Sequence, residues 1–407
     1  MIRYDPLFIG IDISKFKHDV AILNENKVHV IKPFIIQENR SGYQYLLNQL
    51  QYLREKFQTR TFYIGMESTA DYWKNLYYFL KEQSDDFEVI VINPVQTKAY
   101  AKAELRRAKT DPVNAKDIAQ YLVEKKPKSS TDCLSLFYHI RDVDTQIRLL
   151  RKQQSMSVNK LRIELTKVAP EIEHDVRKID GSQILSVLTV YPTAEDIANA
   201  TLTQLACIRY GKRQWQLPNS FVNRIKSLAH NSIAHKSGPG AGYVVQSLIR
   251  NIFFCQQEIQ LLKKQLKLLY EHVSPTDSLL TSITGISKET AIVLEAYIGD
   301  VNRFPDAKKI VAYFGMNPTV NLSGKRIKRK SYLEKKGSGV VRHKLYMATL
   351  NMIQRKEKPI YEYYERLVAS DKEKLVAIGA AMRKLLVIIY TLLKKNEKFD
   401  PHKFVNS

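Results

Sequence analysis

Short apolar runs alternate with stretches of helical periodicity over the amino-terminal third of the chain. Three short runs come first, at residues 7–13, 20–23 and 28–31, and predict a three-stranded meander. Four further elements follow: a helix at 42–57, a strand at 61–66, a helix at 72–80 and a strand at 87–92. A last helix completes the order β-β-β-α-β-α-β-α, which predicts an α/β layer domain over residues 1–130.

Long helical patterns replace the strand signals between residues 131 and 275. The two longest, 140–168 and 244–273, contain no internal capping residues. Helices of that length are typical of a coiled coil, so this region is predicted to be a helical coiled-coil linker that mediates dimerisation. A mainly helical carboxyl-terminal domain is predicted over residues 276–407, so the fold class is α/β plus all-α.

A glycine-containing turn opens the carboxyl-terminal domain at residues 280–299. This pattern predicts either a helix-hairpin-helix, whose turn amides meet a DNA phosphate, or an ordinary αα-hairpin. Nine cations then accompany a single acid, Glu334, within twenty residues: Lys325, Arg326, Lys328, Arg329, Lys330, Lys335, Lys336, Arg342 and Lys344. Because solvated surfaces usually mix charge signs, this basic loop is predicted to contact phosphate, which favours the DNA-binding interpretation.

Overall charge points to the same class of partner. Lys and Arg number 64 against 41 Asp and Glu, a formal net charge of +23, and such an excess is expected of a protein that binds a polyanion. The three cysteines, Cys133, Cys207 and Cys255, are too few and too far apart for a disulfide framework or a zinc site. With no apolar run approaching bilayer length and no signal segment, a cytoplasmic protein without membrane contact is expected.

Three acidic residues stand where strands end or a helix begins. Asp12 interrupts the first apolar strand, Glu67 ends a second, and Asp111 precedes Pro112 at a predicted helix start. Each has an ordinary explanation, since Asp12 could cap the following turn and Asp111 could cap its helix. Taken together they could gather oxygen ligands for Mg²⁺ or Mn²⁺ while neighbouring cations hold a phosphate backbone.

An ordered set of motifs resembles one family over nearly the whole chain. The motifs are Gly10-Ile11-Asp12-Ile13-Ser14-Lys15, Met66-Glu67-Ser68-Thr69, Lys109-Thr110-Asp111 and a closing block from Ile283 to Lys336. In order and spacing they resemble the DEDD transposases of the insertion-sequence family numbered one hundred and ten, which are related to Piv-type DNA invertases. The resemblance implies a RuvC-like, RNase H-type amino domain, a coiled-coil middle and a transposase domain that bears a serine nucleophile.

The same resemblance assigns roles to individual side chains. Asp12, Glu67 and Asp111 match the first three metal-binding acids of the family, while Asn114 stands where the fourth acid is usual. An asparagine lends a carbonyl oxygen to Mg²⁺ but no charge, so Asn114 is predicted to be a weaker ligand, with Asp117 as the alternative.

The family's serine nucleophile corresponds to Ser323, which precedes Gly324. Without the resemblance this pair would be interpreted as a turn. Ser331 and Ser338 are the competing hydroxyls, and Glu334 occupies a position where many relatives carry serine.

The expected function is therefore that of a transposase or site-specific recombinase of an insertion sequence. It would use Mg²⁺ or Mn²⁺ and a covalent serine–DNA intermediate, act on double-stranded DNA as a dimer or tetramer, and take a structured guide RNA as some relatives do. Predicted nucleic-acid contacts outside the basic loop are Lys109, Arg106 and Arg107. Two alternatives remain: a RuvC-like metal-dependent nuclease with water as nucleophile, and a catalytically decayed nucleic-acid-binding relative.

Overall fold

Two compact units make up the chain, Met1–Asp132 and Cys133–Ser407, and each is described by itself. A computed structural model describes residues 5–68, 71–92, 94, 96, 97, 100, 111–127, 134–234, 238–273, 278–318, 333, 334 and 337–404. The predicted division of the second unit near residue 275 stays a prediction.

A five-stranded sheet with the order β3-β2-β1-β4-β5 forms the centre of the amino-terminal unit. Its strands are β1 (Leu7–Ile13), β2 (Lys17–Leu23), β3 (Phe34–Gln37), β4 (Phe62–Glu67) and β5 (Phe87–Ile92). β1, β2 and β3 pair in antiparallel fashion, whereas β4 runs parallel to β1, and β5 runs parallel to β4. The prediction of an α/β arrangement followed by a mostly helical remainder is confirmed.

The third predicted strand was wrong in position. Residues 28–31 contribute one isolated bridge, between Leu23 and His29, and the strand that pairs with β2 is Phe34–Gln37. The Asn24 side chain accepts hydrogen bonds from the amides of Asn26 and Val28 and closes a tight turn there. Pro33 then interrupts pairing because its nitrogen carries no hydrogen, so the ladder resumes only after it.

Helices cover both faces of this sheet. These helices are α1 (Arg40–Phe57), α2 (Trp73–Gln83) and α3 (Asp111–Lys125). On one face, His18 of β2 and Tyr43 of α1 both form hydrogen bonds with the Glu38 carboxylate. Residues 8 and 10 point to the opposite face, where α3 lies: Phe8 belongs to a buried cluster with Ile118 and Leu122, and Gly10 lies directly under Ala115.

Two long antiparallel helices organise the second unit: α4 (Leu134–Val168) and α10 (Gly238–Val273). Ile140 near the start of α4 packs with Leu266 near the end of α10, and Leu161 near the end of α4 shares a core with Val245. The predicted pair of long helices is therefore present, while its description as a coiled coil and its role in dimerisation stay predictions.

A small module connects the long helices and shares an apolar core with their ends. Its elements are α5 (Pro170–Asp175), α6 (Ser182–Val190), α7 (Ala194–Asn199), α8 (Leu202–Ala206), β6 (Arg209–Tyr210), β7 (Trp215–Gln216) and α9 (Asn219–His230). β6 and β7 form an antiparallel hairpin.

Helices surrounding one central helix complete the chain. The elements are α11 (Lys288–Ile298), α12 (Ala307–Tyr313), α13 (Gly339–Gln354), α14 (Ile360–Ala369) and α15 (Lys374–Lys395), with 3₁₀ helices at Leu279–Ser282, Val301–Arg303 and Pro401–Phe404. Among the described residues, α15 is the one helix long and apolar enough to cross a membrane by length and composition. Its buried side chains, including Leu385, Leu386 and Ile389, form part of the core, as expected of the central helix of a folded domain.

The structure differs from the predicted helix-hairpin-helix in the first of its two helices. Leu279–Ser282 is a single 3₁₀ turn, and only the second element, α11, is an α-helix, with Ser287 as its N-cap. Gly285 in the intervening turn has φ +94, and a Cβ there would lie 2.8 Å from Cγ of Met352. The turn is thus packed against α13, which explains why glycine is required.

A buried ion pair joins α4 to α13. The Lys344 ammonium lies 3.5 Å from Asp144, whose side chain is 2% exposed, and 3.9 Å from Glu289. Burial alone would raise the pKa of Glu289, but the cations Lys263, Lys344 and Arg151 outweigh it and lower that pKa. Lys344 was grouped with the phosphate-contacting cations, and this was wrong because its ammonium is buried in the fold.

Replacing Gly10 by alanine tests the contact between β1 and α3. The added Cβ would lie 2.0 Å from the Ala115 carbonyl oxygen and 2.5 Å from the Ala119 nitrogen, both backbone atoms that cannot rotate away. We expect Gly10→Ala to lower the free energy of unfolding by about 3 kcal/mol, the upper part of the overpacking range. The measurement is urea unfolding of the full chain followed by circular dichroism.

Gly240→Ala is the matched control, because a Cβ at Gly240 meets nothing within 4 Å. It should leave stability unchanged or raised by up to about 1 kcal/mol. Equal stability of Gly10→Ala and the wild type would contradict the assigned packing.

Candidate active site

Asp12 and Glu67 lie side by side near the carboxyl ends of two parallel strands. The last registered pair between β1 and β4 is Ile11 with Met66, so the next residue on each strand is an acid. Side chains alternate along a strand, which puts Asp12 on the face of Gly10 and Glu67 on the face of Gly65. That is the face covered by α3, and both acids are partly exposed.

A third carboxylate, Asp19, continues this row on the other side of Asp12. β2 pairs Asp19 directly with Asp12, and directly opposed residues in an antiparallel pair have side chains on the same face. Asp19 is buried, at 7% exposure. Sequence reasoning missed it, although an aspartate within the apolar run of β2 carries the same signal that singled out Asp12.

The amino end of α3 lies over the carboxyl end of β1. Asn114 Nδ2 donates a hydrogen bond to Asp12 Oδ2 at 3.1 Å, and Ala115 lies on Gly10. Asp111 is the first residue of α3, and its side chain is outside the described part. The helix amino terminus carries a partial positive charge, which stabilises carboxylates gathered beside it.

Asp117, the alternative to Asn114, lies three residues further along α3, about one helical turn on. Its side chain is buried, at 7% exposure. The choice between Asn114 and Asp117 as the fourth ligand stays a prediction.

Thr97 holds Glu67 in position. Its hydroxyl donates to Glu67 Oε1, contacts the Pro94 carbonyl oxygen at 3.1 Å, and is 4% exposed. Nothing in the sequence pattern singled out Thr97, because a threonine in a segment of helical residues carries no functional signal until the fold brings it to the acid.

The described side chains supply hard oxygen donors but not a complete metal site. Carboxylates of Asp12 and Glu67 and the carboxamide of Asn114 are of the type that Mg²⁺ and Mn²⁺ bind. Among the described residues, however, no three acids, histidines or cysteines come together closely enough to hold a metal ion. A full ligand set would therefore need a further donor, and Asp111, the first residue of α3, stays the predicted one.

Most of the predicted phosphate contacts lie outside the described residues. These are Ser323 with Ser331, and the cations Arg106, Arg107, Lys109, Lys325, Arg326, Lys328, Arg329, Lys330, Lys335 and Lys336. Residues just before the basic loop pair with residues in its middle. Pro318 forms an antiparallel bridge with Leu333, and the Glu334 amide donates to the Asn317 carbonyl oxygen at 2.9 Å.

Two described residues at the end of this loop have structural contacts. Arg342 donates to the carbonyl oxygens of Phe314 at 3.0 Å and Gly337 at 3.2 Å, and Ser338 caps α13 by accepting from the Val341 amide. Arg342 as a nucleic-acid contact stays a prediction.

Comparisons with known proteins agree with this organisation. A family model described as "Transposase" matches residues 9–170, and a second, "Transposase IS116/IS110/IS902 family", matches residues 277–365. The first match contains the strand-end acids and α3, and the second contains the basic loop.

Two similar proteins are called "Pilin gene-inverting protein", one from Moraxella bovis and one from Moraxella lacunata. Each is 25% identical over 395 residues, which is 97% of this chain and 97% of the relative. A third, "Insertion element IS110 uncharacterized 43.6 kDa protein" from Streptomyces coelicolor, is 26% identical over 165 residues, 40% of either chain.

Replacing Asn114 by aspartate tests its contact with Asp12. The variant sets a second carboxylate where a donor now bonds to Oδ2, so the pKa of one of the two acids should rise by about one unit or more. An acid whose pKa is raised in the folded state stabilises the fold at low pH. This contribution to stability is lost as the pH rises through the raised pKa. Asn114→Asp should thus lose at least about 1 kcal/mol relative to the wild type between pH 4 and pH 8 without divalent cations.

Asn114→Ala is the control for this measurement, because it removes the hydrogen bond without adding charge. Its stability difference from the wild type should vary with pH less than that of Asn114→Asp, because it removes one hydrogen bond to Asp12 but adds no like charge. A pH dependence of Asn114→Asp no larger than that of Asn114→Ala would contradict the proximity of the two side chains.

Proposed function

Because this chain belongs to the IS110 family of transposases, we propose that it cuts and rejoins DNA with its strand-end carboxylates and Ser323. Because members of this family are transposases, the chain is a recombinase whose substrate is DNA. The residues that do the work, their cofactor and any guide RNA are the proposal. The names of its Moraxella relatives support inversion or transposition by strand exchange as the overall reaction.

One observation carries the assignment of the cutting centre. Asp12 and Glu67 follow the last registered pair of two parallel strands on the face covered by α3, and Asn114 of α3 reaches Asp12. Residues distant in sequence are thereby brought to one edge of the sheet, where ligand sites of open α/β sheets usually lie. The order of a three-stranded meander followed by two parallel strands supports a RuvC-like, RNase H-type domain.

The oxygen donors of this centre fit Mg²⁺ or Mn²⁺, with Asp12, Glu67 and Asp111 as the acids and Asn114 as a neutral ligand. A divalent ion bound there supplies positive charge that stabilises the oxygens of a phosphate under attack. The Asn114 amide hydrogen bonded to Asp12 holds that carboxylate in orientation, and the Thr97 hydroxyl does the same for Glu67.

Ser323 is the proposed nucleophile. A bond forms between its Oγ and the DNA phosphorus, and the phosphodiester bond to one deoxyribose oxygen breaks. The serine proton passes to a base, and the released deoxyribose oxygen takes up a proton. Attack by a hydroxyl of another strand on the phosphoserine reverses these changes and rejoins the backbone, so no net hydrolysis occurs.

The partners proposed are double-stranded DNA at the element ends and target, a structured guide RNA, and further copies of the chain. The excess charge of +23 supports contact with several nucleic-acid backbones, and the basic-loop cations would neutralise phosphates near Ser323. Exchange between two duplexes calls for more than one protomer, which supports a dimer or tetramer.

Trapping of protein-linked DNA tests the proposal. Wild type, Ser323→Ala and Asp12→Ala are incubated with Mg²⁺, DNA that carries the element junction and the transcript flanking the element, then resolved on a denaturing gel. We expect a covalent adduct with the wild type that both variants lose. Ser331→Ala is the matched control, a second serine in the same basic loop, and it should keep the adduct.

Two results would overturn this mechanism. Cleavage that survives Ser323→Ala would make the chain a metal-dependent nuclease that uses water. Binding without any strand cleavage by the wild type, with either Mg²⁺ or Mn²⁺, would make it a decayed nucleic-acid-binding relative.

Thr97→Val tests whether the Thr97 hydroxyl positions Glu67. Valine keeps the buried shape but removes the donor, and loss of a partner that orients a metal ligand typically weakens metal binding by 10- to 100-fold. We expect the Mn²⁺ concentration for half-maximal cleavage to rise about tenfold, with Thr97→Ser restoring it. An unchanged metal requirement in Thr97→Val would refute the positioning role.

A further inference from the structure

The second half of the module between the two long helices carries cations but no acids. No aspartate or glutamate occurs from residue 197 to residue 257. Seven cations lie in the same stretch: Arg209, Lys212, Arg213, Arg224, Lys226, Lys236 and Arg250. Surfaces that are merely solvated mix the two signs, so a segment free of acids predicts a polyanionic partner.

Three of these cations lie on the same β6–β7 hairpin as an exposed tryptophan. Trp215 is 55% exposed and pairs across the hairpin with Tyr210. Arg209 lies on β6, and Lys212 and Arg213 lie in the connecting turn; all three are exposed. Among the described side chains, no acid pairs with any of them. Nucleobases stack on exposed aromatic rings of this kind.

A cavity of about 600 Å³ opens next to this hairpin, and Tyr210 forms part of its wall. Arg177, Lys178 and Arg224 line it, together with the first residues of α6. Its one acid, Asp175, is paired with Arg224 at 3.2 Å. The remaining cations, Arg177 and Lys178, together with the helix amino terminus make this cavity attractive to an anion of phosphate size.

From these observations we infer that the hairpin and its cavity form a binding site for an unpaired nucleic-acid strand. A base stacks on Trp215, the turn cations hold the flanking backbone, and a neighbouring phosphate enters the Tyr210 cavity. The site lies in the second unit and rests on the proposed function only in that the chain binds nucleic acid. A duplex does not fit the same role, because its bases are already stacked on one another.

Intrinsic fluorescence reports on this site directly. The chain has two tryptophans, and the other, Trp73, is 3% exposed, so quenching by a stacked base comes from Trp215. The full-length protein is titrated in EDTA with twelve-residue oligo(U), oligo(dT) and a hairpin duplex DNA. We expect quenching by the single strands and little by the duplex. A difference in affinity between oligo(U) and oligo(dT) would show whether the bound strand is RNA or DNA.

Variants separate stacking from charge. Trp215→Ala should weaken single-strand binding, followed by anisotropy of a labelled oligonucleotide, about tenfold, while Trp215→Phe keeps a stacking ring and most of the affinity. Lys212→Ala with Arg213→Ala should reduce the slope of log affinity against log salt by about 1.4, about 0.7 for each lost phosphate contact.

Tyr52→Ala is the matched control, an aromatic side chain that is 50% exposed and has a lysine over its ring in the other unit. It should leave binding unchanged. Equal quenching by duplex and single strands, or full affinity in Trp215→Ala, would overturn the inference. Because EDTA removes divalent cations, failure of the carboxylate centre in cleavage assays would leave this result unaffected.

Discussion

The contact between α3 and the glycines of the sheet determines the geometry of the amino-terminal unit. Gly10 and Gly65 have no side chains, so α3 lies almost directly on β1 and reaches across to β4. This approach brings Asn114 to within hydrogen-bond distance of Asp12. A larger residue at Gly10 would hold the helix away from the strand and separate the two halves of the proposed centre.

Close packing also gathers like charges, and the fold compensates for them locally. Asp19, Asp12 and Glu67 lie in one row on the same face, an arrangement that is unfavourable for three ionised carboxylates. Hydrogen bonds from Asn114 and Thr97 and the positive end of α3 reduce this repulsion. A divalent cation bound as proposed would reduce it further.

Charge is used differently in the second unit. Buried, paired charges such as Lys344 with Asp144 connect the long helix α4 to the carboxyl-terminal helices and fix how they pack. Exposed cations without acidic neighbours, as on the β6–β7 hairpin, contribute little to the fold and remain available to a partner. Lys344 belongs to the same run of cations as Lys336, eight residues before it, so proximity in sequence did not distinguish these two uses of lysine.

Local patterns in the sequence determined the order of strands and helices, the long helices of the second unit and the acids at Asp12 and Glu67, because apolar periodicity and an acid within a strand are local signals. Only the tertiary structure decided the rest. Strand pairing put β3 after Pro33 and set Asp19 beside Asp12, and the packing of α3 brought Asn114 to Asp12. Such contacts join residues far apart in the chain, and no periodicity along the sequence encodes which of them will meet.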